Sequence, residues 1–204
     1  VDFMNSIATS PRLGKEEEKK APVQDPLQEK FLKTRQMTIS GEVNMEMAEK
    51  VIKNLLLLEA DDDSKPIYVF LDSPGGEITS GFAIYDMIRF VKPEVYIIAT
   101  GLAASAGALI LISVPKERRL ALPNAEILIH QPLSEMNGKA TEVEIYAKNL
   151  EKTKARLNHI IAEASGKSYE QVVKDTDRDY WMTADEALEY GLVGRIVKNR
   201  SDLN

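Results

Sequence analysis

Twenty consecutive residues, Val95 to Val114 (VYIIATGLAASAGALILISV), carry no charge and are bracketed by Pro93 and Pro115. By length and polarity alone such a run can cross a bilayer as a helix. Its internal composition argues for another solution. Val95-Tyr96-Ile97-Ile98 is β-branched and aromatic, as a pleated surface favours. From Ala104 through Leu109-Ile110-Leu111 the run is richer in Ala and Leu and suits a helix. Between the two, Gly101 and the small residues Ala103 to Gly107 allow a sharp bend where backbone approaches a ligand closely. We therefore read a buried strand, a tight turn and a buried helix. Ser105 sits at the bend, at a helix N-terminus, where unpaired N–H groups and the helix dipole favour negative charge. That is a place for an attacking oxygen and its oxyanion. A lone serine among alanines fits core filler equally well.

The totals narrow the classes. At 204 residues the chain is one domain with tails, long enough to bury a substantial core. A net charge of −6 argues against a general nucleic-acid binder. With no cysteine there is no disulfide framework and no thiolate nucleophile or metal ligand. Two histidines, His130 and His159, are too few for a multi-histidine metal centre. No apolar signal segment opens the chain, and a cytoplasmic setting is expected, with an organellar matrix or stroma left open.

Residues 1–26 mix Ser, Pro, Lys and Glu without periodicity and read as a charged tail, since they offer little apolar surface to offset ordering entropy. The folded part is expected over 27–197, with 198–204 a second tail. Gln36 to Ile39 predicts a strand. Asn44 caps a helix bearing Met47, Val51, Ile52, Leu55 and Leu58, which stops at the polar loop Asp61 to Pro66. Ile67 to Leu71 is a continuous apolar run of the kind found in a parallel strand covered on both faces. Ser73-Pro74-Gly75-Gly76 comes next, then a helix from about Glu77 to Phe90. This βα pattern occurs twice and predicts a right-handed parallel crossover. Short strands are expected at 120–122 and 126–129, a long amphipathic helix over 140–164 and a short helix over 168–174. Thr183 to Glu186 is a capping box opening a helix that Gly191 closes, before a last strand over 193–197.

Three polar residues draw together in this reading. Ser105 lies at a strand-to-helix bend. His130 ends the apolar strand Ile127-Leu128-Ile129, and Gln131-Pro132 stops that strand. Asp179 lies in the polar connection Asp175 to Asp179, before Tyr180-Trp181-Met182. Serine needs a base within hydrogen-bond reach, and the base needs an orienting acid. The order Ser, His, Asp differs from those of chymotrypsin, subtilisin and the α/β-hydrolases, which disfavours those folds. Ala-Ala-Ser-Ala-Gly also lacks the first glycine of a G-x-S-x-G elbow. His159, beside the apolar stripe of a helix, is the weaker base candidate. Gly75-Gly76 exposes backbone N–H groups after a buried strand, and with the Ala106 N–H these can form an oxyanion hole. A plain turn using positive φ at glycine accounts for them as well.

These segments resemble a family. Ser73 to Gly76, Gly101 to Gly107, Ala121 to Asn124, Ile129 to Pro132 and Asp175 to Asp179 are similar to the signature blocks of ClpP, the peptidase subunits of ATP-dependent Clp proteases. The likeness runs from about Leu32 to Val197. It implies an α/β, crotonase-like (ClpP/crotonase) subunit assembled as two stacked heptameric rings, with a strand-helix handle over about 133–164. It further implies a serine endopeptidase that cuts unfolded proteins to short peptides inside a chamber. Ser105 matches the nucleophile, His130 the base, Asp179 the orienting acid, and the N–H groups of Gly76 and Ala106 the oxyanion hole. Gly75, Leu133 and Ser134 match substrate-binding positions, and Asp177 and Arg178 match ring–ring contacts. Leu56, Tyr68, Phe70, Phe90 and Leu120 match a groove for a hexameric AAA+ unfoldase. Without the likeness all five read as core. No cofactor or metal is implied, since ATP is used by the unfoldase, and neither nucleic acid nor membrane is an expected partner.

The sequence departs from that pattern in places. Ser134-Glu135 stands where the family's handle usually begins with paired glycines, which bears on cleavage preference. The segment before Phe31 is longer and more charged than the family's axial loop, and Thr100 and Val197 are less bulky than an unfoldase groove expects. Two other readings stand beside the peptidase: a crotonase-type acyl-CoA enzyme with the same two-amide oxyanion hole, and a non-catalytic or mixed-ring structural subunit.

Overall fold

The computed structural model of the chain describes residues 26–133 and 137–203. Five parallel strands lie side by side in the order β1 (Gln36–Ser40), β2 (Ile67–Ser73), β3 (Val95–Ala104), β4 (Arg119–Ala121) and β7 (Arg195–Ile196). Two more branch from this path. β5 (Glu126–Ile129) runs parallel to the far end of β3, and β6 (Tyr180–Thr183) is antiparallel to β5. The helices are α1 (Pro26–Lys33), α2 (Met45–Asp61), α3 (Ile78–Phe90), α4 (Ala106–Leu111), α5 (Ala140–Ser165), α6 (Tyr169–Thr176) and α7 (Ala184–Tyr190). Pro26 thus belongs to a helix rather than to the expected tail, and the rest of that tail lies outside the described residues.

The core is built from strand faces that alternate as a pleat requires. Ile67, Val69 and Leu71 of β2 are fully buried beneath α2 and α3, with Val51, Leu55 and Ile84 packed among them. The other face of β2 is covered less completely. Tyr68 and Phe70 are half-buried over a small cluster of Ile98, Leu120 and Val197, and the Tyr68 and Tyr96 rings stack 5.2 Å apart. Both faces of the strand are covered, as its apolar run predicts, the second only in part.

Helix ends follow the local chemistry. The Asn44 side chain accepts the Met47 N–H at the start of α2, and Thr183 and Glu186 form the capping box of α7. At the far end of α2 the buried Arg35 guanidinium donates to the carbonyls of Leu58, Asp62, Lys65 and Pro66 at 2.8–3.2 Å. Arg119, also buried, donates to the Val114 carbonyl and to that of Ala164 in the last turn of α5, at 2.7 and 2.8 Å. Burial lowers the Arg119 pKa from its ordinary value. Cations at helix C-termini complement the dipole and satisfy carbonyls left over by the helix.

Four features differ from the sequence reading. The uncharged run is a strand, a tight turn at Ser105 and a helix as expected, but the strand runs on to Ala104 and the helix starts at Ala106 rather than Ala104. Among the described residues no helix is long and apolar enough to cross a membrane. β6 was not anticipated, and the expected strand over 193–197 shrinks to two residues. Finally, α5 buries only Leu157, Asn158 and Ile161, all in its second half, while Val143 and Ile145 stand exposed in its first. Tyr146 and Leu150 on that half are partly buried and line a cavity with Ser105 and His130.

Candidate active site

The strand-to-helix bend is one residue. β3 ends at Ala104, Ser105 takes φ 56° and ψ −118°, and α4 begins at Ala106. Positive φ in a non-glycine residue costs on the order of 1–3 kcal/mol and persists only where the surroundings enforce it. Here they do. The Ser105 N–H donates to the Leu128 carbonyl at 2.9 Å, which fixes the backbone before the turn. Buried α4 fixes it afterwards. Small neighbours are obligatory, since a Cβ on Gly107 would lie 2.8 Å from the Ser73 carbonyl oxygen.

The glycine loop is pressed against this turn. Gly75 has φ +92°, and a Cβ there would stand 2.7 Å from the Ala104 carbonyl oxygen and 2.8 Å from the Ser105 Cβ. On its other side the loop forms a parallel bridge to Val43. The Val43 N–H donates to the Gly75 carbonyl, and the Glu77 N–H to the Val43 carbonyl, both at 2.8 Å. That bridge does not use the Gly76 N–H. The Ala106 N–H, first in its helix, has no helical acceptor either. Two amides with no bond in these ladders therefore flank the serine.

The imidazole arrives from the branch of the sheet. Ile129 pairs with Tyr180 in the antiparallel β5–β6 ladder, so the residues just beyond, His130 and Asp179, fall opposite one another. Their Nδ1 and Oδ1 atoms are 3.0 Å apart. An ionised carboxylate can only accept, so Nδ1 donates to it, and in a neutral imidazole Nε2 is then the acceptor. The histidine side chain is 15% exposed and the aspartate 62%. Gln131 anchors the pair from behind: its N–H donates to the Thr176 carbonyl at 2.7 Å, and its side-chain amide to the Asp177 carbonyl at 2.9 Å. Thr176, fully buried, bonds the buried Asn158 of α5 at 2.9 Å. Sequence reading had Gln131-Pro132 hold the imidazole at the strand tip, but through the stop of the strand; the bonds to Thr176 and Asp177, and the part of Thr176, were not anticipated. β6 was the missing signal, because its register is what makes 130 and 179 neighbours.

Ser105, Gly76 and His130 line one cavity of about 520 Å³, whose walls include Leu133, Tyr146 and Leu150. No hydrogen bond joins the Ser105 hydroxyl to the imidazole among the described residues. Leu133 is 80% exposed, while Ser134 lies outside the described residues. Asp177 and Arg178 are exposed and 3.9 Å apart on a second cavity beyond the imidazole. An exposed pair of that kind contributes little to stability.

Of the five apolar positions matched to a docking groove, Leu56 and Phe90 are exposed, and Tyr68 and Phe70 half-buried. Leu120 is corrected: it is fully buried at the centre of the Ile98–Val197 cluster and offers no surface to a partner. His159 stacks on Tyr169 at 4.2 Å and lines neither the cavity of Ser105 nor that of Asp179. Among the described residues no group of three or more His, Asp or Glu side chains can hold a metal ion.

Comparison with known proteins gives one answer throughout. The family model for Clp protease matches residues 18–200. The ATP-dependent Clp protease proteolytic subunit 2 of Treponema denticola is 52% identical over 188 residues, 92% of this chain and 94% of that protein. The proteolytic subunit 3 of Rhizobium etli is 46% identical over 91% of this chain and 95% of its own length. Among solved structures, a mutant ClpP1 from Listeria monocytogenes superposes with a TM-score of 0.82 at 46% identity, covering 87% of this chain and 99% of that one. The acyl-CoA alternative is not favoured by any of these likenesses. The chain belongs to the Clp protease family, as a proteolytic subunit of serine-peptidase type on the α/β ClpP fold.

Proposed function

We propose that Ser105 is the nucleophile of this peptidase, His130 its general base and acid, and Asp179 the residue that holds the imidazole in the productive tautomer. The observation that carries this reading is the 3.0 Å His130–Asp179 pair, whose imidazole lines the same cavity as a serine held at positive φ. The Ser105 oxygen attacks the peptide carbonyl, and its proton passes to His130 Nε2. The tetrahedral oxyanion is received by the Gly76 and Ala106 amides. His130 then protonates the leaving amine as the C–N bond breaks. Water, deprotonated by the same imidazole, attacks the acyl-enzyme, and Ser105 recovers its proton as the acid product leaves. The hydroxyl, the imidazole and the two amides supply the whole sequence, so the reaction as proposed needs no cofactor.

The wider reading rests on the same family. Two stacked heptameric rings, made by this chain alone or with a paralogous subunit, enclose the sites. The exposed first half of α5 and the Asp177–Arg178 pair serve ring contact. Leu56 and Phe90, with Tyr68 and Phe70 beside them, receive apolar loops of a hexameric AAA+ unfoldase that spends the ATP and feeds unfolded polypeptide. Gly75, Leu133 and Ser134 lie along the substrate path, within a peptidase domain over 27–197 flanked by two tails. The setting is a bacterial cytoplasm.

The test is a fluorophosphonate probe with a short fluorogenic peptide. Labelling is expected at Ser105, and Ser105→Ala is expected to lose hydrolysis by at least about 10⁴-fold while native mass spectrometry shows the same assembly. An unlabelled, inactive wild-type ring would return the chain to the non-catalytic subunit reading.

A further inference from the structure

β2 and β3 do not keep an even register. Leu71 lies opposite Ala99 but Ser73 lies opposite Ala103, so Asp72 alone faces Thr100, Gly101 and Leu102. A bulge of this kind bends the longer strand and re-aims the residues beyond it. It is also where β3 changes neighbours. Residues 97–99 pair with β4, whereas Leu102, Ala103 and Ala104 pair with β5, and Ser105 comes next.

Side chains fill the gap that the bulge opens. Asp72 Oδ1 accepts the Leu102 N–H at 2.8 Å, and the Thr100 hydroxyl donates to the Leu71 carbonyl at 3.1 Å. A Cβ on Gly101 would stand 2.6 Å from Asp72 Oδ1, so that glycine makes room for the carboxylate. The residue after Asp72 ties the other side. The buried Ser73 hydroxyl donates to the Gly41 carbonyl at 2.6 Å and accepts the Gly75 N–H at 3.1 Å. The segment that delivers Gly76 is thus held to β3 through Asp72 and to the β1–α2 connection through Ser73.

We infer that Asp72 is a positioning residue for the oxyanion site: its carboxylate locks the bulged end of β3 against the glycine loop and so sets the spacing of the Gly76 and Ala106 amides. The inference rests on the roles proposed above for those two amides. Asp72 is itself exposed, and its carboxylate meets a backbone amide rather than a cation. Losing that bond should disturb geometry more than stability. Donors must meet the developing oxyanion at 2.7–3.1 Å, so a shift of well under an ångström in either loop is felt in kcat.

The experiment compares wild type, Asp72→Ala and Asp72→Asn as full-length assembled protein, with a short fluorogenic peptide and with amide hydrogen exchange. Asp72→Ala is expected to lower kcat roughly ten- to a hundredfold with KM within about twofold, at unchanged assembly and melting temperature. It should also speed exchange across residues 99–105. Asp72→Asn keeps an acceptor at Oδ1 and should recover most of the rate. The inference is overturned by an Asp72→Ala enzyme with wild-type kcat, by an Asp72→Asn enzyme as slow as Asp72→Ala, or by unchanged exchange across 99–105. Should wild type itself neither hydrolyse the peptide nor take a label at Ser105, the peptidase roles fall, and exchange alone decides the Asp72 lock.

Discussion

The two halves of the site are made in different ways. The nucleophile half is backbone geometry: Ser105 at positive φ, Gly75 and Gly76 pressed on it, and Ala104, Ala106 and Gly107 buried around it. The base half is a side-chain pair at the tip of a two-stranded branch, with its aspartate 62% exposed and its hold on the fold passing through Gln131 to the end of α6. Packing density makes the first half stiff, because no neighbour can move without a steric clash. The second half depends on a few hydrogen bonds, each contributing about 1 kcal/mol. A site split this way loses its alignment more readily on the imidazole's side, whereas the serine's side shifts only when a specific lock such as the Asp72 carboxylate or a bare glycine is altered.

The sharpest break in the comparison is Asp179→Asn. The amide can donate to Nδ1 as well as accept from it, so the imidazole is no longer held in the form whose Nε2 takes a proton. A fall in kcat of about 10³–10⁴-fold is expected, with fluorophosphonate labelling of Ser105 slowed in parallel. Because the carboxylate is largely exposed, the melting temperature should hardly move. A loss below about tenfold would mean that Asp179 does not orient the base.

Gly75→Ala tests the stiff half and should reverse that pattern. The new methyl meets the Ala104 carbonyl at 2.7 Å and forces alanine to φ +92°. Stability is expected to drop by about 1–3 kcal/mol, read as a lower melting temperature. Displacing the oxyanion amides should cost about a hundredfold in kcat. Hydrogen exchange at the Gln131 amide, which belongs to the other half, should stay as in wild type. Faster exchange there would show that the halves are mechanically one unit.

The same division decided what could be read from the sequence. The nucleophile half was legible because its constraints are local: small residues at 101–107, two adjacent glycines after an apolar strand, and a composition change from β-branched to Ala and Leu. Composition placed the bend at Ser105 but not its strain, since nothing in the residue types says that Ser105 takes positive φ. The base half was legible only as residue types. Nothing in the spacing brings 130 to 179. The β5–β6 register does, and β6 was hidden because its four residues, between the polar Asp175–Asp179 connection and the capping box, are too few to show a period. Leu120 failed for a related reason. A leucine on a short strand looks the same in sequence whether it faces a groove or a satellite core. Asp72 could not be read at all, since a bulge is a relation between two strands.

The smallest expected effect lies on the base half, at Tyr190. Its hydroxyl donates to Asp175 at 2.8 Å, next to the Thr176 whose carbonyl receives Gln131. Burial first, and then this bond to a carboxylate, raise the phenol well above its ordinary pKa near 10. The folded chain therefore keeps the proton at pH values where the unfolded chain has lost it. With fewer protons bound to the unfolded state, stability falls as pH rises past about 10, and it is unaffected by this group below that. Tyr190→Phe removes the slope. At neutral pH the variant should be less stable by about 1 kcal/mol, since Asp175 loses a donor, and the gap to wild type should close as the solution is made alkaline. Denaturation curves at pH 8 and pH 10.5 read both effects. Peptide hydrolysis at neutral pH should fall no more than a few-fold, through a looser Gln131 anchor. A gap that stayed constant with pH would assign the loss to packing against Tyr180 rather than to the hydroxyl. An unchanged rate together with a closing gap would place the anchor of the imidazole in the Thr176–Asn158 bond alone.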